Sequence, residues 1–178
     1  MTDFSQSILG WQSFYLLTGT AAATLIGLLF VAVSINIEAF RRRAYTDLQL
    51  FATLTFNCFF YVLLISMLFL IPGLSPPGLG LPLLLLGGLG FVNAVVQQRR
   101  ARRSLLSQQD ISVASRFTTP ILCLLGLMII AVGVIVQITV GLYGLVIVLV
   151  FLLGSASVNA WTLLVRGNAP EVTADSQR

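Results

Sequence analysis

The strongest constraint in this sequence is where its charges are absent. Residues 14–37, 48–71, 79–96 and 121–165 hold no Asp, Glu, Lys or Arg and are almost wholly apolar. A helix crosses the ~30 Å hydrocarbon core of a bilayer in roughly 20 residues, and it satisfies its own backbone polar groups while doing so. The first three runs are each long enough for one such span. The fourth would make a single helix of more than twice the hydrocarbon thickness at about 1.5 Å per residue, so it must fold back. Gln137, Thr139, Gly141 and Gly144 mark the turn. The expected fold is therefore an all-α integral membrane protein, a bundle of five transmembrane helices at about 14–37, 48–71, 79–96, 121–137 and 142–165. These form one membrane domain, 1–166, followed by a tail, 167–178.

Local signals punctuate these runs. Thr46 followed by Gln49 has the pattern of a capping box ahead of the second span, and Pro72-Gly73 ends it. The third span carries Gly87, Gly88 and Gly90, which lower helix propensity, and Pro82 falls in its first turn, where proline is tolerated. Thr119-Pro120 supplies an N-cap and a first-turn proline to the fourth span. Arg166, Gly167 and Pro170 stop the fifth. The segment 72–78 reads as a rigid uncharged turn. Phe4, Ile8, Trp11 and Tyr15 form a helical-period stripe, which suits either a short interfacial helix or a plain extension of the first span. With Asp3 near its start and a first run too long for an h-region, the chain is expected to retain that run as a span.

Composition points to the same solvent. Hydrophobic residues make up 57% of the chain and charged residues 9%, against about 25% charged in soluble domains. All ten basic residues are Arg, and there is neither Lys nor His. With five spans, one side of the membrane receives 38–47, 97–119 and the C-terminal tail with Arg166 before it, which carry three, five and two Arg; the other side receives none. The positive-inside rule then places the Arg side and the C-terminus in the cytosol and the N-terminus outside. Trp11 and Tyr15 would anchor the outer interface, and Tyr45 and Trp161 the inner one. A bacterial plasma membrane is the expected setting, since no organelle-targeting signal is evident.

The same inventory narrows function. No Asp, Glu, Lys, Arg or His lies within a span, so proton pumping, ion-coupled transport and voltage sensing lack the residues they usually rely on. A serine nucleophile would lack a His or Lys base. Glu38, Asp47 and Asp110 are scattered, and Cys58 and Cys123 have no zinc or redox spacing. The chain is expected not to be an enzyme and to need no cofactor or metal.

Three features remain as candidate sites. Asn57, Asn93 and Asn159 lie in three different spans, with Ser155 one turn before Asn159 and Asn36 near the end of the first span. An amide in hydrocarbon must face protein or water. These groups either converge on one polar pocket in the inner half of the membrane or lock helices together by hydrogen bonds of ~0.6 kcal/mol each. Gly19, Ala23 and Gly27, with Thr20 and Thr24 alongside, offer a small-residue face for packing within the bundle or for self-association. Arg99, Arg100, Arg102 and Arg103 follow the third span, as an orientation signal or a contact for anionic lipid. Nucleic acid is not an expected partner, because no aromatics interleave with these arginines. The expected partners are the lipid bilayer, with anionic lipid at the cytosolic face, and a second copy or another membrane protein. The role expected on these grounds is a non-enzymatic accessory, assembly or scaffold subunit; the alternative is a homo-oligomeric channel or facilitator for a small anion or neutral solute.

Overall fold

The computed structural model describes residues 2–35, 46–73, 75–105, 111–136 and 140–167. Side-chain surroundings are described for 10–35, 52–73, 75–99, 118–136, 141 and 143–162. Asn36, Arg41, Arg42, Arg43, Tyr45, Asp110, Gln137, Thr139 and the tail from 168 lie outside the described residues.

Among the described residues the chain is all-helical: α1 Thr2–Ile35, α2 Thr46–Leu70, α3 Pro76–Leu105, α4 Ile111–Ile135 and α5 Val140–Gly167. Each contains a stretch long and apolar enough to cross a membrane. The outward surface is as apolar as the interior. Leu17, Leu89, Leu122, Ile129 and Phe151 are all more than half exposed. A helix that is hydrophobic all round is a membrane span or lies deep in a large core, and outward faces this apolar suit the interior of a bilayer.

Two helices, the third and the fourth, begin earlier than the sequence expectation. The turn expected at 72–78 is shorter. Ser75 caps α3: its Oγ accepts the Gly78 amide at 3.3 Å and its carbonyl the Leu79 amide at 3.0 Å. Pro76 and Pro77 then occupy the first turn, where their missing N–H groups cost no intrahelical bond. What remains of the turn centres on Pro72 and Gly73, whose φ of 74° is the left-handed geometry that a Pro-Gly turn requires.

Because α3 starts early, Pro82 lies inside the helix and not in its first turn. The fourth helix likewise starts at Ile111, so Thr119-Pro120 is neither cap nor first turn; Pro120 sits mid-helix. There it removes the hydrogen bond that its N–H would donate to the carbonyl four residues back. In α4 the helix continues past the uncharged run through Arg116, where hydropathy gives no signal; in α3 the added residues belong to its own apolar stretch and are helical because prolines fit a first turn. Finally, α1 is one continuous helix from Thr2, so the stripe at Phe4, Ile8, Trp11 and Tyr15 extends the first span.

Four helices close a ring. α2 packs on α3 and α5, and α4 packs on α3 and α5, while α1 lies outside along α2 with a lesser contact to α5. α3 meets α4 along a seam of buried residues spaced alternately three and four apart: Gly80, Leu83, Gly87, Gly90, Ala94 and Gln97. α4 answers with Pro120, Leu124, Leu127, Ala131 and Val134, and α5 repeats the pattern at Leu145, Leu149, Leu152, Ala156 and Asn159. A 3.5-residue repeat is the signature of helices packed knobs-into-holes. Two of the glycines that weaken α3 as a helix, Gly87 and Gly90, are where its neighbours come close. A Cβ on Gly87 would stand 3.0 Å from Met128 Cγ, and one on Gly90 2.9 Å from Leu124 Cδ2 and 3.0 Å from Tyr61 Cζ. Close backbone approach replaces the hydrophobic effect, which does not drive helices together in lipid.

α1 runs antiparallel to α2. Tyr15 stacks on Phe69 with ring centroids 4.5 Å apart, and fifteen residues further along α1 Phe30 meets Phe56 edge-on at 5.7 Å. Tyr15 is fully buried in this interface and does not stand as an aromatic anchor facing lipid. Trp11 is half-buried, edge-on to Tyr143 of α5 at 5.4 Å. Trp161 is exposed.

Candidate functional site

The intramembrane amides occupy two separate places. Asn57 of α2 and Asn93 of α3 line one cavity together with Tyr61, Gln97 and Pro120. Gln97 is a polar residue of the seam that the sequence reading passed over, because it stands at the start of an arginine run. It is buried, and its Nε2 donates to Asn93 Oδ1 one turn back at 3.3 Å. The signal was present as the i, i+4 spacing of two amides. The cavity encloses about 10 Å³, which is room for one water molecule. Its other walls are apolar, among them Leu54, Leu124 and Leu152.

Asn159 is not part of that cavity. It lies with Ser155 and Thr119 at one end of an open groove of about 580 Å³ on the outer side of α4 and α5. The rest of the groove is apolar: Val150, Phe151, Gly154 and Val158. Asn159 is buried because it continues the α5 seam, and its Nδ2 has no hydrogen-bond partner. Ser155 and Asn159 do share a face, as their spacing indicated, and Thr119 joins them from α4.

The small-residue strip of α1 is also divided. Gly19 is buried against α2, where a Cβ would stand 3.0 Å from Ser66 Cβ. Beside it Thr18 Oγ1 and Ser66 Oγ lie 3.1 Å apart, a buried contact that sequence spacing could not reveal. Ala23 and Gly27 face outward, as do Thr20 and Thr24. Both threonine hydroxyls donate to carbonyls of α1 itself, Thr20 to Leu16 at 2.7 Å and Thr24 to Thr20 at 2.9 Å. Donors satisfied within their own helix leave a smooth face of low polarity.

Arg99 is exposed near the end of α3, and the helix continues through Arg100, Arg102 and Arg103, whose side chains lie outside the described residues. Cys58 and Cys123 are buried free thiols. Among the described residues no three His, Cys, Asp or Glu side chains gather as a metal cluster would require. Compared with protein-family models, curated proteins and solved structures, the chain matches none.

Proposed function

We propose that the chain is a non-catalytic accessory or assembly subunit of the plasma membrane, with its N-terminus outside and its arginine-bearing segments in the cytosol. The observation that carries this reading is the division of the asparagines. Asn57 and Asn93 border a space for one water, Asn159 lies on an outer groove, and the ring between them is filled by Leu79, Leu83, Leu127, Leu145 and Leu149, each no more than 1% exposed. A single chain of this form offers solutes no path. α1 supports the same reading. It has the longest run of helix but the lowest buried share of the five, and it turns Ala23 and Gly27 away from the bundle. A helix held by one neighbour with small residues outward is suited to a second helix, from another membrane protein or a second copy.

The deciding experiment is the protein mass of the detergent-purified particle together with solute flux after reconstitution. A particle of one chain with background flux of chloride and glycerol supports a subunit awaiting its partner. A discrete homo-oligomer whose flux is abolished by Asn57→Leu or Asn93→Leu would sink this reading and establish the channel.

A further inference from the structure

We propose that the groove on α4 and α5 is a specific binding site for an ester-linked glycerophospholipid. One acyl chain lies along Val150, Phe151 and Gly154, and an ester carbonyl accepts a hydrogen bond from Asn159. This does not depend on the function proposed above.

Four observations carry it. The first is an unsatisfied donor. Asn159 is 2% exposed and its Nδ2 has no partner. An unpaired amide donor in an apolar surround is costly, so a buried one calls for an acceptor. The terminal torsion of Asn is broad, and a turn about it carries Nδ2 toward the groove that Asn159 lines.

The second is the order of polarity along the groove. From Val150 to Asn159 along α5 the lining begins with Val150, Phe151 and Gly154, and all of its polar members, Ser155 and Asn159 with Val158 between them and Thr119 of α4, lie at the other end. That order matches an amphiphile lying parallel to the helix. A solute of uniform polarity would leave one end mismatched.

The third is depth. The last charge before the uncharged run of α4 is Arg116, and the first after that of α5 is Arg166. Thr119 lies three residues from Arg116 and Asn159 seven from Arg166, so both stand within about two turns of the charged end of the bundle, the side on which glycerol esters lie. Val150 is nine residues deeper than Asn159, about 14 Å at 1.5 Å per residue, and half of a ~30 Å hydrocarbon core is ~15 Å. The groove thus has about the length of one leaflet and runs toward the bilayer centre. It is the leaflet at the arginine end of the bundle, because Pro120 of α4 and Gln97 of α3, two residues from Arg99, line one cavity.

The fourth is its floor. Gly154 is exposed, with no atom within 4 Å of the position its Cβ would take. A side chain there would fill the groove and leave the bundle as it is.

Native mass spectrometry of the full chain, exchanged into a delipidating detergent and titrated with a synthetic phosphatidylglycerol, tests the site. The ester lipid is compared with its ether-linked analogue, which has the same headgroup and chains but lacks the carbonyls. The wild-type protein is expected to retain one ester lipid about tenfold more tightly than the ether lipid, the worth of one hydrogen bond. Asn159→Leu should abolish that preference. Gly154→Leu should abolish retention of both lipids, and Ser157→Leu, outside the groove, should change nothing. Circular dichroism confirms the helix content of each variant, and Gly154→Leu keeps the test decisive if Asn159→Leu fails to fold. Equal retention of ester and ether lipid by the wild type overturns the proposal, as does unchanged retention in Gly154→Leu. A dimer that Gly154→Leu dissociates, with no lipid retained by the wild type, overturns it in favour of a second copy as the occupant.

Discussion

Thr18 Oγ1 and Ser66 Oγ stand 3.1 Å apart across the α1–α2 interface, buried one residue from the point where Gly19 lets the two backbones close. Thr18 also donates to the carbonyls of Phe14 and Tyr15 on its own helix, at 3.0 and 3.2 Å. With its own proton given to that turn, Thr18 Oγ1 is free to accept from Ser66 of α2. The α1–α2 interface extends from Tyr15 on Phe69 to Phe30 on Phe56, and this pair adds a buried polar contact to it.

A double-mutant cycle of Thr18→Val and Ser66→Ala, read by unfolding in mixed micelles, should give a coupling of about 0.6 kcal/mol, the mean for such pairs in membrane bundles. Strictly additive effects would mean that the two hydroxyls do not act on each other. Gly19→Leu should do more, detaching α1 from α2, because its side chain would have to enter the space of Ser66.

Gly90→Leu should destabilise the bundle by about 1–3 kcal/mol, the usual cost of overpacking, since even a Cβ would crowd Leu124 and Tyr61. Gly88 is two residues away with nothing within 4 Å of its Cβ position. Gly88→Ala should therefore be neutral or stabilise by up to about 1 kcal/mol through helix propensity. Thermal unfolding of the two variants in one detergent checks the contrast. Equal behaviour would count against the α3–α4 seam.

Tyr15→Phe should be neutral or stabilising by up to about 1 kcal/mol. The Tyr15 hydroxyl is buried without a partner while its ring stacks on Phe69, and removing an unsatisfied polar group while keeping its shape relieves a desolvation cost. A loss of more than about 1 kcal/mol in equilibrium unfolding would reveal a bound acceptor at that hydroxyl.

Orientation is open to labelling. Pro77 is exposed in the first turn of α3, so Pro77→Cys leaves the Ser75 cap in place. In a background carrying Cys58→Ala and Cys123→Ala, an impermeant maleimide on intact cells should label Pro77→Cys, and should label Ser107→Cys only after lysis. Both labelled from the same side would mean that α3 does not cross.

The sequence by itself determined the number of helices and nearly where each lies. That follows from the solvent: in lipid every segment must satisfy its own backbone, so a long uncharged run can only be a helix, and its ends are set by the first charges, prolines and glycines. The fold-back between α4 and α5 was legible for the same reason, as a run too long to cross once. What each helix faces was decided only by the tertiary structure. A span whose inward and outward sides are equally apolar carries no period to say which is which, unlike a helix in water. Gly19, Ala23 and Gly27 therefore read as one strip, although α2 takes Gly19 and leaves the other two outside. Asn57, Asn93 and Asn159 are alike as lone amides in apolar runs, yet the first two border one small cavity while Asn159, the most buried of the three, lines a separate groove. The helical reach beyond the hydrocarbon, which put Pro120 inside its helix, was hidden too, because hydropathy marks where lipid ends and not where backbone hydrogen bonding does.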